Sequence, residues 1–200
     1  MAYKMTNPTL TVTCPLNPHK REYHATVIER SYDRRVSVPL KTAIRAAVDA
    51  IAVHASLGMP GEARMLKEVV RVICNSHDLG VPVIAAIYDR SVSINDAPDV
   101  YAKRAAHAAR IALELGADVV KASYTGDPLY FKQIVRASSP LPVLVAGGPY
   151  KSDADLVSIA RNSLAAGAAG CCFGRGLAYA KDLKVVVQQI KDVCATVNYA

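Results

Sequence analysis

Apolar and polar positions along this chain follow two periods in turn. Short β-branched or apolar runs occupy residues 9–15, 50–57, 81–88, 117–124, 141–148 and 169–174. Most are followed by a loop and then an amphipathic stretch. The runs are apolar on both faces, as strands of a parallel sheet covered by helices must be. The segments between them carry helix signals. Asp127 followed by Pro128 reads as an N-cap and first-turn proline ahead of a helix over 129–137. Ser152 with Asp155 three residues on resembles a capping box, Asp standing for the usual Glu, before a helix over 156–165. Residues 97–115 place Val100, Ala105, Ala109 and Leu113 in one stripe, with Lys103, Arg104, Arg110 and Glu114 on the exposed side. Pro60 or Gly61 opens a helix over 62–77 whose Leu66, Val69, Val70 and Ile73 face the sheet, and 182–194 forms a last helix. Strands alternating with helices predict an α/β fold.

Two parallel architectures satisfy that pattern, a (βα) barrel and an open doubly wound sheet. A barrel usually takes about 250 residues and eight strands. This chain offers six strands, plus a possible hairpin from 25–29 and 36–39, so counting alone favours the open sheet. The residues that carry chemistry favour the barrel instead.

Length and composition narrow the setting. The 200 residues suit one domain spanning 1–200. A hydrophobic content of 52% supplies a core and excludes disorder. The 11 glycines and 11 prolines are scattered, which excludes collagen-like and linker readings. No apolar run approaches the roughly 18 residues of a membrane span. The stretch up to Pro8 lacks the apolar block of a secretory signal, so a cytoplasmic protein is expected. Cysteines at 14, 74, 171, 172 and 194 form neither a CxxC pair nor a disulfide framework and read as reduced, mostly buried thiols. The dispersed histidines show no ligand spacing either, so neither a metal nor a cofactor is expected. The net charge of +7 raises nucleic acid as a partner, but the basic residues are dispersed and no binding motif accompanies them. A modest positive field equally suits a small phosphorylated substrate.

One lysine stands out. Lys121 lies in the middle of the apolar run 117–124, where burial is costly unless the group has a task. Strand alternation puts Val119, Lys121 and Ser123 on one face and Val120 and Ala122 on the other. If that shared face lines a barrel, desolvation lowers an ammonium's pKa from about 10.4 toward the roughly 7–8 useful in catalysis. A neutral amine then attacks a ketone or aldehyde and forms a Schiff base. A lysine near a strand end that snorkels to solvent fits the strand equally well. The next two strands add weight. Gly147-Gly148-Pro149 ends one and Gly174-Arg175 ends the other. Glycines after consecutive strands let backbone N–H groups approach a phosphate, and arginine supplies a charge-assisted clamp. In barrels, the loops after the last two strands are a common phosphate site.

From about residue 81 to 194 the chain resembles the archaeal-type class I fructose-bisphosphate aldolases of the DhnA/DeoC-LacD group, relatives of the 2-amino-3,7-dideoxyheptulosonate synthases. The resemblance is carried by Lys121 with Tyr124-Thr125-Gly126-Asp127, by Gly147-Gly148-Pro149, by Gly174-Arg175, by Tyr88-Asp89-Arg90 where the family has Tyr-Pro-Arg, and by residues 111–118. It implies a TIM-barrel-type parallel sheet and a metal-independent carbon–carbon lyase without a cofactor, placed in glycolysis or gluconeogenesis. It implies Lys121 as the Schiff-base lysine, Tyr88 as the proton-moving tyrosine and Arg90 near the substrate. Gly147, Gly148, Gly174 and Arg175 become the phosphate loops. It also implies a phosphorylated sugar, most readily fructose 1,6-bisphosphate, and a homo-oligomer with neither nucleic acid nor membrane as partner. Three departures stand beside it. The family's Asp-His-Gly first strand has no counterpart, Asp89 replaces a proline, and Gly176 replaces an asparagine. Residues 9–15 are expected to form the third barrel strand, which leaves the barrel short of two strands at its N-terminal side. A synthase or transaldolase making a longer sugar phosphate, and an inactive phosphate-binding relative, remain alternative readings. His54 is expected to be a core histidine, although its strand could turn it toward the cavity.

Overall fold

The computed structural model describes residues 9–10, 40–45, 48–93, 95–148 and 152–196. Its strands are β1 (Thr9–Leu10), β2 (Ile51–Leu57), β3 (Val83–Asp89), β4 (Val119–Ser123), β5 (Val143–Ala146) and β6 (Gly170–Cys172). Its helices are α1 (Leu40–Arg45), α2 (Glu62–His77), α3 (Pro98–Glu114), α4 (Pro128–Ala137), α5 (Asp153–Ala165), the single turn α6 (Arg175–Ala178) and α7 (Leu183–Ala195).

Local chemistry sets the helix starts. Asp127 accepts a hydrogen bond from the Leu129 amide at 2.6 Å, with Pro128 in the first turn of α4. Ser152 accepts from the Asp155 amide at 3.1 Å, and its hydroxyl donates to Asp155 Oδ2 at 2.6 Å, so the shorter acid answers the serine side chain. Asp182 caps α7 in the same way, accepting from the Val185 amide at 3.1 Å. The buried faces differ in detail from the apolar stripes of the sequence. On α2 the inward line is Met65, Val69, Ile73 and Ser76, while Val70 is exposed. On α3 the buried residues are Ala102, Ala108, Ala109 and Ala112, and Val100 is exposed. Alanines let α3 approach α4 and β3 closely, so the small residues form the contact and the larger valine stays outside.

All six strands run parallel in the order β1-β6-β5-β4-β3-β2. From β2 to β6 each strand lies beside the next in sequence, which is barrel order rather than the reversal of a doubly wound sheet. The expected third-strand role for residues 9–15 is overturned. Thr9 and Leu10 pair with Gly170 and Cys171 of the last strand, across the sheet from β2, in the place of a first barrel strand. The wider pattern of a short apolar run gives no information about register or neighbour, which is why the sequence misassigned it. Residues 11–15 and the hairpin expected from 25–29 and 36–39 lie outside the described residues.

The sheet has two apolar faces with separate partners. Outward-facing Ala55, Val83, Ala85, Ile87, Val120, Ala122, Val143, Val145 and Cys171 pack against the helices, with Phe131, Ile134, Leu156 and Ile190 filling the space between. Inward-facing Val119, Leu144 and Cys172 form a second cluster with Ile84. Cys171 and Cys172 therefore serve opposite faces, both buried, whereas Cys74 is exposed.

The amino end of the sheet is held by one carboxylate. The Asp118 amide donates to the Val83 carbonyl at 3.0 Å, and Asp118 Oδ2 accepts from the Val83 amide at 2.7 Å. The same oxygen lies 2.9 Å from His77 Nε2 at the end of α2. Asp118→Ala should lower unfolding free energy by about 1–3 kcal/mol, because it strips the Val83 amide of its acceptor. Asp118→Asn keeps an acceptor and should lose less than half as much. Urea denaturation of both variants checks the ordering, and equal losses would contradict it.

Candidate active site

At the carboxyl end of the sheet, alternation and register together collect polar side chains on the inner face. Pairing of Ala52, His54 and Ser56 with Ile84, Ala86 and Tyr88 puts all six on one side. Ile84 pairs with Val119, so the same side continues through Val119, Lys121 and Ser123 of β4. Lys121 pairs onward with Leu144, Ser123 with Ala146, and Ala146 with Cys172. The inner face is thus apolar at the level of Ile84, Val119 and Leu144, and polar toward the strand ends. Lys121 stands at the boundary, half-buried. Tyr88 lies on the adjacent strand, and Arg90 follows at its end.

Tyr88 is the most perturbed of the polar groups in this cluster. Burial pushes its phenol up to about 12, against the opposing charge of Arg90. The Arg90 guanidinium carbon lies 5.1 Å from the centre of the Tyr88 ring, a cation–π arrangement. The His54 ring tilts against the other neighbouring strand's tyrosine, its centroid 5.0 Å from that of Tyr88 and the planes at 54°. His54 therefore faces the site rather than the helix-covered core. The Ser123 side chain lies within hydrogen-bonding reach of Tyr88 and also of Tyr101, in the first turns of α3. Burial raises the Tyr101 phenol too, with Ser123 and Arg90 acting in the opposite direction.

The two glycine loops lie at the ends of β5 and β6. A Cβ on Gly147 would sit 2.9 Å from Phe173 Cδ1, and Phe173 is fully buried, so the first glycine is required by close packing. Gly148 adopts φ 65°, a left-handed conformation that turns the chain at the strand end, and the space beside it is open. Gly174 leads into α6, and its carbonyl accepts from the Ala178 amide at 3.2 Å. Of Arg175 the backbone alone is described, and Pro149 lies outside the described residues. Both departures from the family pattern have local explanations. The Asp89 carboxylate accepts from the Ser91 amide at 2.9 Å and lies 3.9 Å from Arg104, so hydrogen bonds fix a turn that proline would otherwise stiffen. A Cβ on Gly176 would meet Leu156 Cδ2 at 2.7 Å, leaving no room there for a larger residue.

The structure thus gathers Tyr88, Arg90 and Lys121 at one end of the sheet, with the backbones of Gly147, Gly148, Gly174 and Arg175 at the same end. Sequence reasoning missed Tyr101. The signal was available, since the first turns of a helix that follows a strand lie over that strand's carboxyl end, and Tyr101 comes just after Pro98. Among the described residues no group of three His, Cys, Asp or Glu side chains is arranged to hold a metal ion, and no helix is long and apolar enough to cross a membrane.

The raised Tyr88 value has a consequence for stability. The folded protein keeps this proton until about pH 12, whereas the unfolded chain releases it near its ordinary value of 10.0. Ionisation favours the unfolded state in that window, so stability falls as pH rises from 10 toward 12. Tyr88→Phe removes this contribution. The gap in unfolding free energy between wild type and variant should therefore shift in the variant's favour across the window, as read by urea denaturation. Parallel curves would contradict the burial of this phenol.

Comparisons with known proteins agree with this geometry. The pattern of the DeoC/LacD family aldolases matches residues 15–179. A 2-amino-4,5-dihydroxy-6-oxo-7-(phosphonooxy)heptanoate synthase of Streptomyces griseus is 34% identical over 155 residues, covering 77% of this chain and 56% of that protein. The crystal structure of an archaeal fructose 1,6-bisphosphate aldolase superposes with a TM-score of 0.73 at 30% identity, over 80% of this chain and 63% of that one. A Schiff-base-forming fructose-1,6-bisphosphate aldolase, solved for its reaction intermediates, gives 0.71 at 29% identity over 82% and 64%. The chain spans little more than half the length of the curated relative and under two thirds of either structure. On its motifs, its barrel-ordered parallel sheet and a match over most of its length, the chain belongs to the DeoC/LacD family of aldolases.

Proposed function

We propose that this chain carries the chemistry of a Schiff-base-forming class I aldolase that cleaves or forms a carbon–carbon bond in a sugar phosphate. The observation that supports the reading most is the common inner face of Lys121 and Tyr88 on adjacent strands, at the end of the sheet where both glycine loops lie. In this reading the Lys121 amine attacks the substrate ketone and, with loss of water, forms an iminium. The iminium accepts the electron pair of the breaking carbon–carbon bond, so no metal is called upon to polarise the carbonyl. Tyr88 moves the proton of the hydroxyl whose carbon becomes the departing aldehyde, and Arg90 lies near enough to contribute charge. Gly147, Gly148, Gly174 and Arg175 hold a phosphate, and its remote binding energy positions the reacting carbon.

Fructose 1,6-bisphosphate is the first substrate to test, with dihydroxyacetone phosphate and glyceraldehyde 3-phosphate as products. A second reading has its own support in the 34% identity to a synthase whose name describes a seven-carbon phosphorylated amino acid. That reading makes the chain a builder of longer sugar phosphates with the same lysine. A coupled assay for glyceraldehyde 3-phosphate separates them. Cleavage of fructose 1,6-bisphosphate that persists in EDTA and falls at least about a thousandfold in Lys121→Ala supports the first reading. Turnover of a longer sugar phosphate alone moves the assignment to the synthase. Loss of activity with EDTA, or full activity in Lys121→Ala, would overturn the class I chemistry.

A further inference from the structure

We propose that Ser123 and Tyr101 form a two-hydroxyl relay that carries the Tyr88 proton from the inner face of the sheet to solvent at the strand ends, a role that rests on the class I reading of Lys121 and Tyr88. Three placements support it. Ser123 closes β4 on the face that carries Lys121. Its side chain is within hydrogen-bonding reach of both phenols, one arriving from β3 and the other from α3. Tyr101 is half-buried, so its hydroxyl belongs to a side chain with both a core contact and an exposed part. A serine hydroxyl donates one hydrogen bond while accepting others, which lets it stand in the middle of such a chain.

The relay answers a difficulty in the chemistry. Burial keeps Tyr88 a phenol far above neutral pH, and a phenol accepts a proton only if it gives up its own. During cleavage the substrate hydroxyl proton passes to Tyr88 as the Tyr88 proton passes to Ser123. The Ser123 proton passes to Tyr101, and the Tyr101 proton passes to water. The electron pair of the substrate O–H bond becomes the second bond of the new carbonyl. The pair from the carbon–carbon bond moves into the iminium and leaves an enamine. Each protein oxygen ends with the one proton it began with, and synthesis runs the same chain backwards.

The experiment compares wild type with Tyr101→Phe, Ser123→Ala and Ser123→Thr, using fructose 1,6-bisphosphate or whichever sugar phosphate wild type turns over. Tyr101→Phe and Ser123→Ala should lower kcat by about 10- to 100-fold while KM stays within about twofold. Ser123→Thr restores the hydroxyl and should recover most of kcat. A rate plotted against deuterium content of the solvent should curve for wild type, where several protons move together, and straighten for Tyr101→Phe. Tyrosines labelled with 13C at Cζ provide a readout that needs no turnover. Ser123→Ala should move the resonances of both Tyr88 and Tyr101, each assigned by its Phe variant. Unmoved resonances overturn the relay, as does an active wild type whose kcat and curvature are unchanged in Tyr101→Phe. A folded wild type with no turnover on any sugar phosphate overturns the aldolase reading itself, and the relay with it.

Discussion

The register of β4 between β3 and β5 is the constraint on which the rest of this structure depends. It sends Val120 and Ala122 outward into the core against the helices and Val119, Lys121 and Ser123 inward. Strand side chains alternate strictly, so a slip of one residue would exchange the two sets. Lys121 would then stand among Phe131, Ile134 and the alanines of α3, where an unpaired ammonium is very costly to bury. The apolar demand of the outer face and the polar tolerance of the inner face therefore choose the same register. The energetics that hold the sheet together also aim the candidate nucleophile.

The two ends of the sheet divide the remaining work. At the amino end, Asp118 ties β3 to β4 and reaches His77 of α2, so the loops there serve stability. At the carboxyl end, polar side chains and glycine turns collect because parallel strands all finish on the same side. Tyr88 is held between the Arg90 charge and the His54 ring, and the carboxylate of Asp89 fixes the turn that follows it. That arrangement buries a phenol without removing every polar neighbour, which is the environment a proton-moving group needs. The close contacts at Gly147 and Gly176 show the same economy. Side chains as large as Phe173 and Leu156 press on the loops, so the backbone there is fixed by the core beneath it.

Much of this was legible in the sequence because it follows from period and local chemistry. Five long apolar runs became β2 to β6, and Asp127, Ser152 and Asp182 marked three helix starts by the caps they form. The inward direction of Lys121 followed from alternation once the strand was recognised. The failures have equally physical causes. Thr9 and Leu10 carried no feature that distinguishes a first strand from a third, since pairing partners are chosen by long-range contacts. The alanine face of α3 was invisible to a search for large apolar residues. Tyr101 looked like a surface aromatic because nothing local reveals that the first turns of a helix lie beside Ser123. The barrel reading prevailed over counting through motifs, and the neighbour order of the strands is what supports it.

The central claim is that Lys121 is the nucleophile of this family member, and covalent trapping tests it most directly. Incubation with dihydroxyacetone phosphate followed by borohydride reduces any iminium to a stable secondary amine, and peptide mass spectrometry then locates the added mass. The account predicts a single adduct on Lys121, lost in Lys121→Ala and unaffected by EDTA. An adduct on another lysine, or none from a folded protein, would contradict it.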